Sequence, residues 1–296
     1  MDLSVADEIA DFLAQRLTAS EKDILLLEWF GGEPLLNTEA IDRICSRLKS
    51  RKIRFLSTLT TNGTLLPSEA IDRLVYDWSL TRVQIGLDGV GRTHEQIKGM
   101  PEGSFWQIIE NIHRLLDVGC RVRIRMVYTG DAKNKSSLIA FLAKEFPTIK
   151  PGVYLFPSYD IGESRLRGVM EEILMLEQQL AEAGFVRPEE QYRFRQRRGR
   201  CFAANGGLTI APDGRLFSCS HAMQEKYCIG TIWDFNEDNE IYRSFTAPDL
   251  SKRCLECVFL PFCMGGCRAA ERNMANMFQC HPYSTVMDRI ITSLRE

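Results

Sequence analysis

Apolar positions along the first half of the chain follow two alternating rhythms. Leu3, Ala6, Ile9, Ala10, Leu13 and Leu17 recur at helical spacing, which lays them on one face of a helix over residues 3–17. The run from Ile24 to Phe30 is short, apolar and closed by two glycines, as a buried strand is. The same alternation then repeats. Helices are expected over 38–48, with Thr38 as N-cap, and over 68–76, 105–118 and 136–146. Strands are expected over 53–61, 82–87, 121–128 and 153–156, two of them stopped by the turn pairs Asn62-Gly63 and Asp88-Gly89. Five strands with helices between them predict parallel pairing. Periodicity alone does not separate an open sheet from a barrel. The series opens on a helix, where β/α repeats usually open on a strand.

Beyond Tyr159 the rhythm changes. A helix over 169–183 ends at Gly184, and Arg193, Arg195, Arg197, Arg198 and Arg200 follow as a basic stretch. From Cys201 to Cys280 the apolar period is poor, and Gly, Pro and Cys are frequent. Metal holds such a segment better than an apolar core does. A last helix is expected over 283–294.

Composition narrows the setting. Of 296 residues 45% are apolar, enough for a sizeable core, and the net charge of −2 makes no electrostatic case for nucleic acid or an anionic membrane. No apolar stretch approaches the roughly 20 residues that span a bilayer. The acidic start, Met1-Asp-Leu-Ser-Val, lacks the basic and apolar parts of a signal peptide. A cytoplasmic, reducing location is expected, where grouped cysteines are metal ligands more often than disulfides.

Seven such cysteines stand near the C-terminus: Cys201, Cys219, Cys254, Cys257, Cys263, Cys267 and Cys280. Thiolates two, five and three residues apart converge readily on metal. Their number exceeds one four-ligand site and nearly suffices for two. Zinc is the chemical alternative to iron–sulfur, since four-cysteine zinc sites use similar spacings. No cysteine precedes Cys45.

The strand ends carry the other chemistry. Gly31-Gly32-Glu33-Pro34 follows the first strand, Thr60-Thr61-Asn62-Gly63-Thr64 ends the second, and Gly86-Leu87-Asp88-Gly89 ends the third, with His94 beyond. Ligands of parallel β/α folds sit at these C-terminal strand ends. Two glycines admit close approach, and a glutamate can accept from an ammonium group.

The runs Glu28-Trp-Phe-Gly-Gly-Glu-Pro-Leu-Leu36 and Thr61-Asn-Gly-Thr-Leu-Leu66, with the seven-cysteine pattern including Gly214-x4-Cys219, resemble a radical SAM enzyme with a SPASM domain. The resemblance implies an α/β architecture: a partial (β/α)6 barrel lacking its first strand over 1–165, a bridging helix and basic linker over 166–198, a small cysteine-rich α+β SPASM domain over 199–281, and a C-terminal helix over 282–296. It implies that Glu33 takes the methionyl amino group of S-adenosylmethionine (SAM), with Gly31, Gly32 and Pro34 giving access and Thr61 and Asn62 nearby. It also implies two auxiliary [4Fe–4S] clusters, one on Cys254, Cys257, Cys263 and Cys280, the other on Cys201, Cys219 and Cys267. The fourth position of the latter falls to a substrate or other ligand, or to Cys228. The implied role is peptide or protein modification through a 5′-deoxyadenosyl radical, with a peptide or protein substrate and a reducing protein as partners.

Three departures qualify the resemblance. The family's Cys-x3-Cys-x2-Cys loop is absent, so the chain reads as the N-terminally truncated part of such an enzyme, inactive by itself; a non-catalytic iron–sulfur or zinc scaffold is the alternative. Gly86 stands where relatives often have a serine that contacts ribose. Ser220 and His221 follow Cys219 where sulfatase-oxidising relatives place an aspartate base. That argues against sulfatase maturation and leaves the catalytic residue unknown. Cys45 and Cys120 read as packed thiols, His113 as structural, and the basic stretch as a solvated face.

Overall fold

A computed structural model describes residues 1–20, 22–66, 71–157, 163–185, 202–246, 252–257 and Leu260. The basic stretch, the expected last helix, Cys201, Cys263, Cys267 and Cys280 lie outside the described residues. The chain divides into two compact units, residues 1–161 with 171–188, and residues 162–170 with 189–296.

In the first unit, α1 (Leu3–Thr18) precedes β1 (Leu25–Trp29), α2 (Thr38–Ser50), β2 (Phe55–Thr61), α3 (Ile71–Asp77) and β3 (Leu80–Gly86). Then come α4 (Arg92–Lys98), α5 (Ser104–Asp117), β4 (Arg121–Tyr128), α6 (Ala132–Glu145), β5 (Gly152–Pro157) and α7 (Glu163–Glu182), of which the part from Glu171 onward belongs to this unit. The five strands form one parallel sheet in strict chain order. Its register sets Trp29 beside Leu59, Thr61 beside Ile85, Ile85 beside Ile124 and Met126 beside Leu155. A doubly wound sheet would reverse its strand order midway; this one does not, so it forms an arc of a β/α barrel.

Every expected strand is present. The α/β expectation is met because alternate strand residues are strongly apolar: Val83, Ile85, Val122, Ile124 and Met126 are buried, as are Ile108, Ile112, Leu138 and Leu142 of α5 and α6, the helices that contact β4. The helix ends differ from the sequence reading. Asn37, not Thr38, caps α2, its side-chain oxygen accepting from the Ala40 amide at 3.2 Å. Asp131 starts α6 four residues earlier than expected by accepting from the Asn134 amide at 2.9 Å. Leu3, placed on the inner stripe of α1, is exposed, and Phe12 is buried instead. Helix α4 was not expected at all.

Asp7 meets Arg43 through two bonds of 2.7 and 2.8 Å, and Asp11 meets Arg47 at 2.8 and 2.9 Å. The matched steps along both helices show that α1 and α2 run in the same direction, as β/α repeats require.

In the second unit, Thr209–Ile210 (β6) pairs antiparallel with Leu216–Phe217 (β7). The connecting turn closes with Gly214 at φ +86°. Glu240–Thr246 forms α8 and Lys252–Leu255 forms α9. Ala203, Ala222 and Phe245 make a small core, with Cys219 packed at its edge. Among the described residues no helix is long and apolar enough to cross a membrane.

Candidate functional site

The C-terminal rim of the sheet is built around Glu33. Beyond β1 the chain opens at Gly31, whose φ is +152°, and no atom lies within 4 Å of the place a Cβ would take at Gly31 or Gly32. Pro34 then starts a 3-10 turn that Glu33 caps through the Leu35 amide at 3.1 Å. The same carboxylate oxygen accepts from the Thr61 hydroxyl at 2.8 Å. The other accepts from the Asn62 amide at 2.8 Å. A carboxylate offers about four acceptor positions, so three protein donors fix this one and leave room for a ligand cation. The sequence-expected residues Gly31, Gly32, Glu33, Pro34, Thr61 and Asn62 thus meet at one rim, and open space beside a fixed carboxylate fits the ammonium of an amino-acid-like ligand.

The loop after β2 is rigid for local reasons. Asn62 folds its side chain onto the Thr64 amide at 2.9 Å and its hydroxyl at 2.7 Å. Gly63 sits at φ +84°, and its carbonyl accepts from Asn111 at 2.8 Å. A cleft of about 590 Å³ opens beside this loop, between Asn62 and Leu65 on one side and residues 99–104 on the other.

The third strand end holds a charged network that the sequence reading did not find. Asp88 is buried and its carboxylate meets Lys98 at 2.6 Å, the Val127 amide at 2.6 Å and Lys135 at 3.5 Å. The Asp88 carbonyl accepts from Lys135 at 2.7 Å and from Asn134 at 2.7 Å. Burial works against the Asp88 charge, yet the Lys98 bond, the Val127 amide and Lys135 outweigh it and hold its pKa below the ordinary range. Burial is also the main influence on Lys135, lowering its pKa, with Asp88 pulling the other way. His94 is fully buried, accepts the Asp88 amide at Nδ1 at 3.1 Å, and its Nε2 has no hydrogen-bond partner. Burial pushes its pKa down to about 4. Lys98 reaches the rim: its Nζ is 3.8 Å from where a Cβ on Gly86 would stand. The only sequence signal was the pairing of Asp88 with a nearby His94; nothing local marks Lys135 as its partner.

Of the seven metal-candidate cysteines, the side chains of Cys219 and Cys257 are described. Both are half-buried, and neither forms a disulfide with a described cysteine. Cys254 lies within α9. The Cys219 sulfur accepts from the His221 amide at 3.4 Å. Among the described residues no three metal-ligating side chains gather, and five of the seven cysteines contribute no described side chain. Cys228, the alternative fourth ligand, donates to the Gly230 carbonyl at 3.3 Å. Cys45 and Cys120 are buried, and burial pushes their thiols to about 12 and about 11. They are packed and inert. His113 bonds Glu145 at 2.8 Å on the helix face.

Residues 4–140 match the family described as the Radical SAM superfamily, and the chain carries a radical SAM domain there. Among curated proteins it is similar to the serine-type anaerobic sulfatase-maturating enzyme of Klebsiella aerogenes, 23% identical over 294 residues that cover 90% of this chain and 72% of that one. Among solved structures, native anSMEcpe with bound AdoMet and Kp18Cys peptide superposes with a TM-score of 0.74 at 16% identity, covering 99% of this chain and 90% of that one. Streptococcus suis SuiB bound to S-adenosylmethionine superposes with a TM-score of 0.62 at 15% identity, covering 94% and 69%. These two likenesses show a shared α/β fold.

Proposed function

We propose that this chain is the SAM-holding and cluster-holding part of a radical SAM enzyme that modifies a peptide or protein. The observation that carries the reading is the Glu33 carboxylate, fixed by Thr61 and Asn62 beside the open backbone of Gly31 and Gly32. Glu33 takes the ammonium of SAM, Gly31, Gly32 and Pro34 shape the approach, and Thr61 and Asn62 hold the carboxylate in place. When bound beside a reducing cluster, SAM supplies a 5′-deoxyadenosyl radical that takes a hydrogen atom from substrate. The 296 residues hold no Cys-x3-Cys-x2-Cys. By itself this chain therefore does not cleave SAM reductively, and purified chain with reductant yields no 5′-deoxyadenosine.

Peptide modification is favoured because similar structures were described with bound peptides, Kp18Cys in one and the precursor SuiA in another. Sulfatase maturation is not carried over from the Klebsiella relative, since Ser220 and His221 follow Cys219 with no carboxylate. Cys254, Cys257, Cys263 and Cys280 hold one [4Fe–4S] cluster, and Cys201, Cys219 and Cys267 hold the other. The N–H bond from His221 to the Cys219 sulfur supports this, because it favours the thiolate that ligates iron.

Calorimetric titration with SAM tests the site. Glu33→Gln removes a charge-assisted bond of about 1.5–3 kcal/mol and weakens SAM about tenfold or more. Equal affinity for both proteins refutes the assignment. Anaerobic reconstitution tests the clusters: about eight iron atoms per chain are expected from two four-iron clusters, and zinc without labile sulfide refutes them.

A further inference from the structure

We infer that the face of the sheet turned away from the helices recognises an extended acidic peptide, binding its alternate carboxylates on a ladder of arginines. The inference rests on the reading of the chain as a peptide-modifying enzyme, and names the kind of peptide.

Strand residues alternate between two faces. One set in β3 and β4 is the apolar core described above. The other set is Arg82 and Gln84 on β3, and Arg121, Arg123 and Arg125 on β4. The register puts Arg82 directly beside Arg121 and Gln84 beside Arg123. Like charges facing each other across a strand pair repel. Within the sheet only the Glu28 charge acts against this repulsion, and it offsets it only in part, because burial and the neighbouring arginines still lower the Arg82 pKa. Glu28 is the one carboxylate on this face of the five strands, and the register sets it two strands from Arg82, across Thr58. Two strand spacings put their backbones roughly 10 Å apart, and Glu28 acts on Arg82 through space without a direct ion pair. Among the described residues no carboxylate forms an ion pair with any of the four arginines.

Arg121 donates its Nε–H to the Thr81 carbonyl at 3.2 Å, which leaves its terminal N–H groups, and the contacts of the other three keep their donors available. Arg123 stacks over Tyr154 at 5.2 Å and Arg125 over Phe156 at 4.4 Å. Stacking uses the flat side of a guanidinium and leaves its in-plane N–H groups for an acceptor. Tyr154 is itself held by Gln84 at 3.0 Å. The Arg82 Nε is buried with no hydrogen-bond partner. Burial, and then the neighbouring Arg123 charge, lower its pKa. A buried guanidinium N–H with no acceptor is arranged for an anion from outside.

Spacing selects the anion. Arg121, Arg123 and Arg125 recur every second residue of one strand, so their Cα atoms step by roughly 6.6 Å. Alternate side chains of an extended peptide step by the same distance. A segment with an acidic residue at every second position meets the ladder rung for rung, whereas a lone phosphate engages one rung.

Fluorescence anisotropy with the full 296-residue chain tests this, with no SAM present, so that failure here leaves the Glu33 assignment untouched. The probes are a fluorescein-labelled peptide of alternating glycine and glutamate and its glycine–glutamine counterpart. The glutamate peptide is expected to bind at least about tenfold tighter. Arg123→Gln and Arg82→Gln each weaken it several-fold, while Arg123→Lys keeps the charge and loses less. Arg114→Gln, on α5 and paired with Glu110, changes the net charge equally and leaves binding unchanged. Circular dichroism confirms that each variant folds. Equal binding of both peptides overturns the inference. So does equal weakening by Arg114→Gln and Arg123→Gln, or displacement by inorganic phosphate at matched ionic strength.

Discussion

Thr61 and Glu33 stand 28 residues apart in sequence and are joined by a 2.8 Å hydrogen bond at the sheet rim. The bond ties the end of β2 to the loop after β1, and it aims a carboxylate that the Leu35 turn alone would leave free to rotate. Thr61→Val keeps the shape and the β-branching but removes the donor, and it also leaves the Gly63 amide without the Thr61 oxygen at 3.1 Å. We expect a stability loss of about 1–2 kcal/mol, seen as a lower urea midpoint with an unchanged slope. SAM affinity falls less than in Glu33→Gln, because the carboxylate remains. Thr61→Ser restores both. A Thr61→Val protein that titrates SAM like wild type would remove Thr61 from the site.

Asp88 and Lys135 make the most buried charge pair of the radical SAM domain described here, with side chains 5% and 2% exposed. Removing one partner strands the other in a dry environment. Asp88→Asn is expected to cost about 3 kcal/mol or more in chemical denaturation. Lys135→Met replaces the buried ammonium by a stem of similar length. In the double variant much of the Asp88→Asn loss disappears, since the only charge left without its partner is Lys98, which is partly exposed to solvent. Strictly additive losses would mean that the two groups do not interact.

This network explains what the sequence could not disclose. The strands were legible because their apolar positions alternate or cluster, and that is a local property. The rim residues Glu33, Thr61 and Asn62 were legible because they follow strands, and parallel sheets put those ends together. Helix α4 was not, since Arg92-Thr-His-Glu-Gln-Ile-Lys98 carries no apolar stripe. Its buried residues are His94 and Glu95, held by the Asp88 amide and by the Phe105 amide at 3.1 Å. Polar contacts made by distant segments leave no period in the chain. The arginine ladder shows the same limit. The alternation Arg121-Val-Arg-Ile-Arg-Met126 was visible, but which face would be covered depended on helices elsewhere.

His94 makes acid stability dependent on one imidazole. Burial holds its pKa near 4, against 6.5 when exposed, while Asp88 and Glu95 pull it up and Lys98 and Lys135 push it down. The unfolded chain takes up this proton near pH 6.5, and the folded chain does so only near pH 4. Between those values the unfolded state binds more protons, so stability falls as the pH is lowered and is flat above the window. The full effect is about 3 kcal/mol at 1.36 kcal/mol per pH unit. His94→Gln keeps an acceptor for the Asp88 amide but cannot titrate. Denaturation midpoints of wild type and variant, compared from pH 4 to 7.5, should converge on acidification. Parallel profiles would show that His94 carries no part of the pH dependence.

Two glycines separate backbone strain from loss of the site. Gly63 and Gly119 both have φ in the left-handed region, +84° and +75°. A Cβ on Gly119 meets nothing within 4 Å, whereas one on Gly63 would lie 3.2 Å from Ile108 and 3.3 Å from Ile85. Gly119→Ala therefore costs only the left-handed backbone penalty, about 1–2 kcal/mol, and leaves SAM binding unchanged. Gly63→Ala adds crowding against two buried isoleucines and pushes on the loop whose Asn62 amide holds Glu33. It is expected to be the more destabilising by about 1 kcal/mol or more and to weaken SAM as well. If both substitutions lowered stability equally and neither touched SAM binding, the turn after β2 would have no part in orienting Glu33.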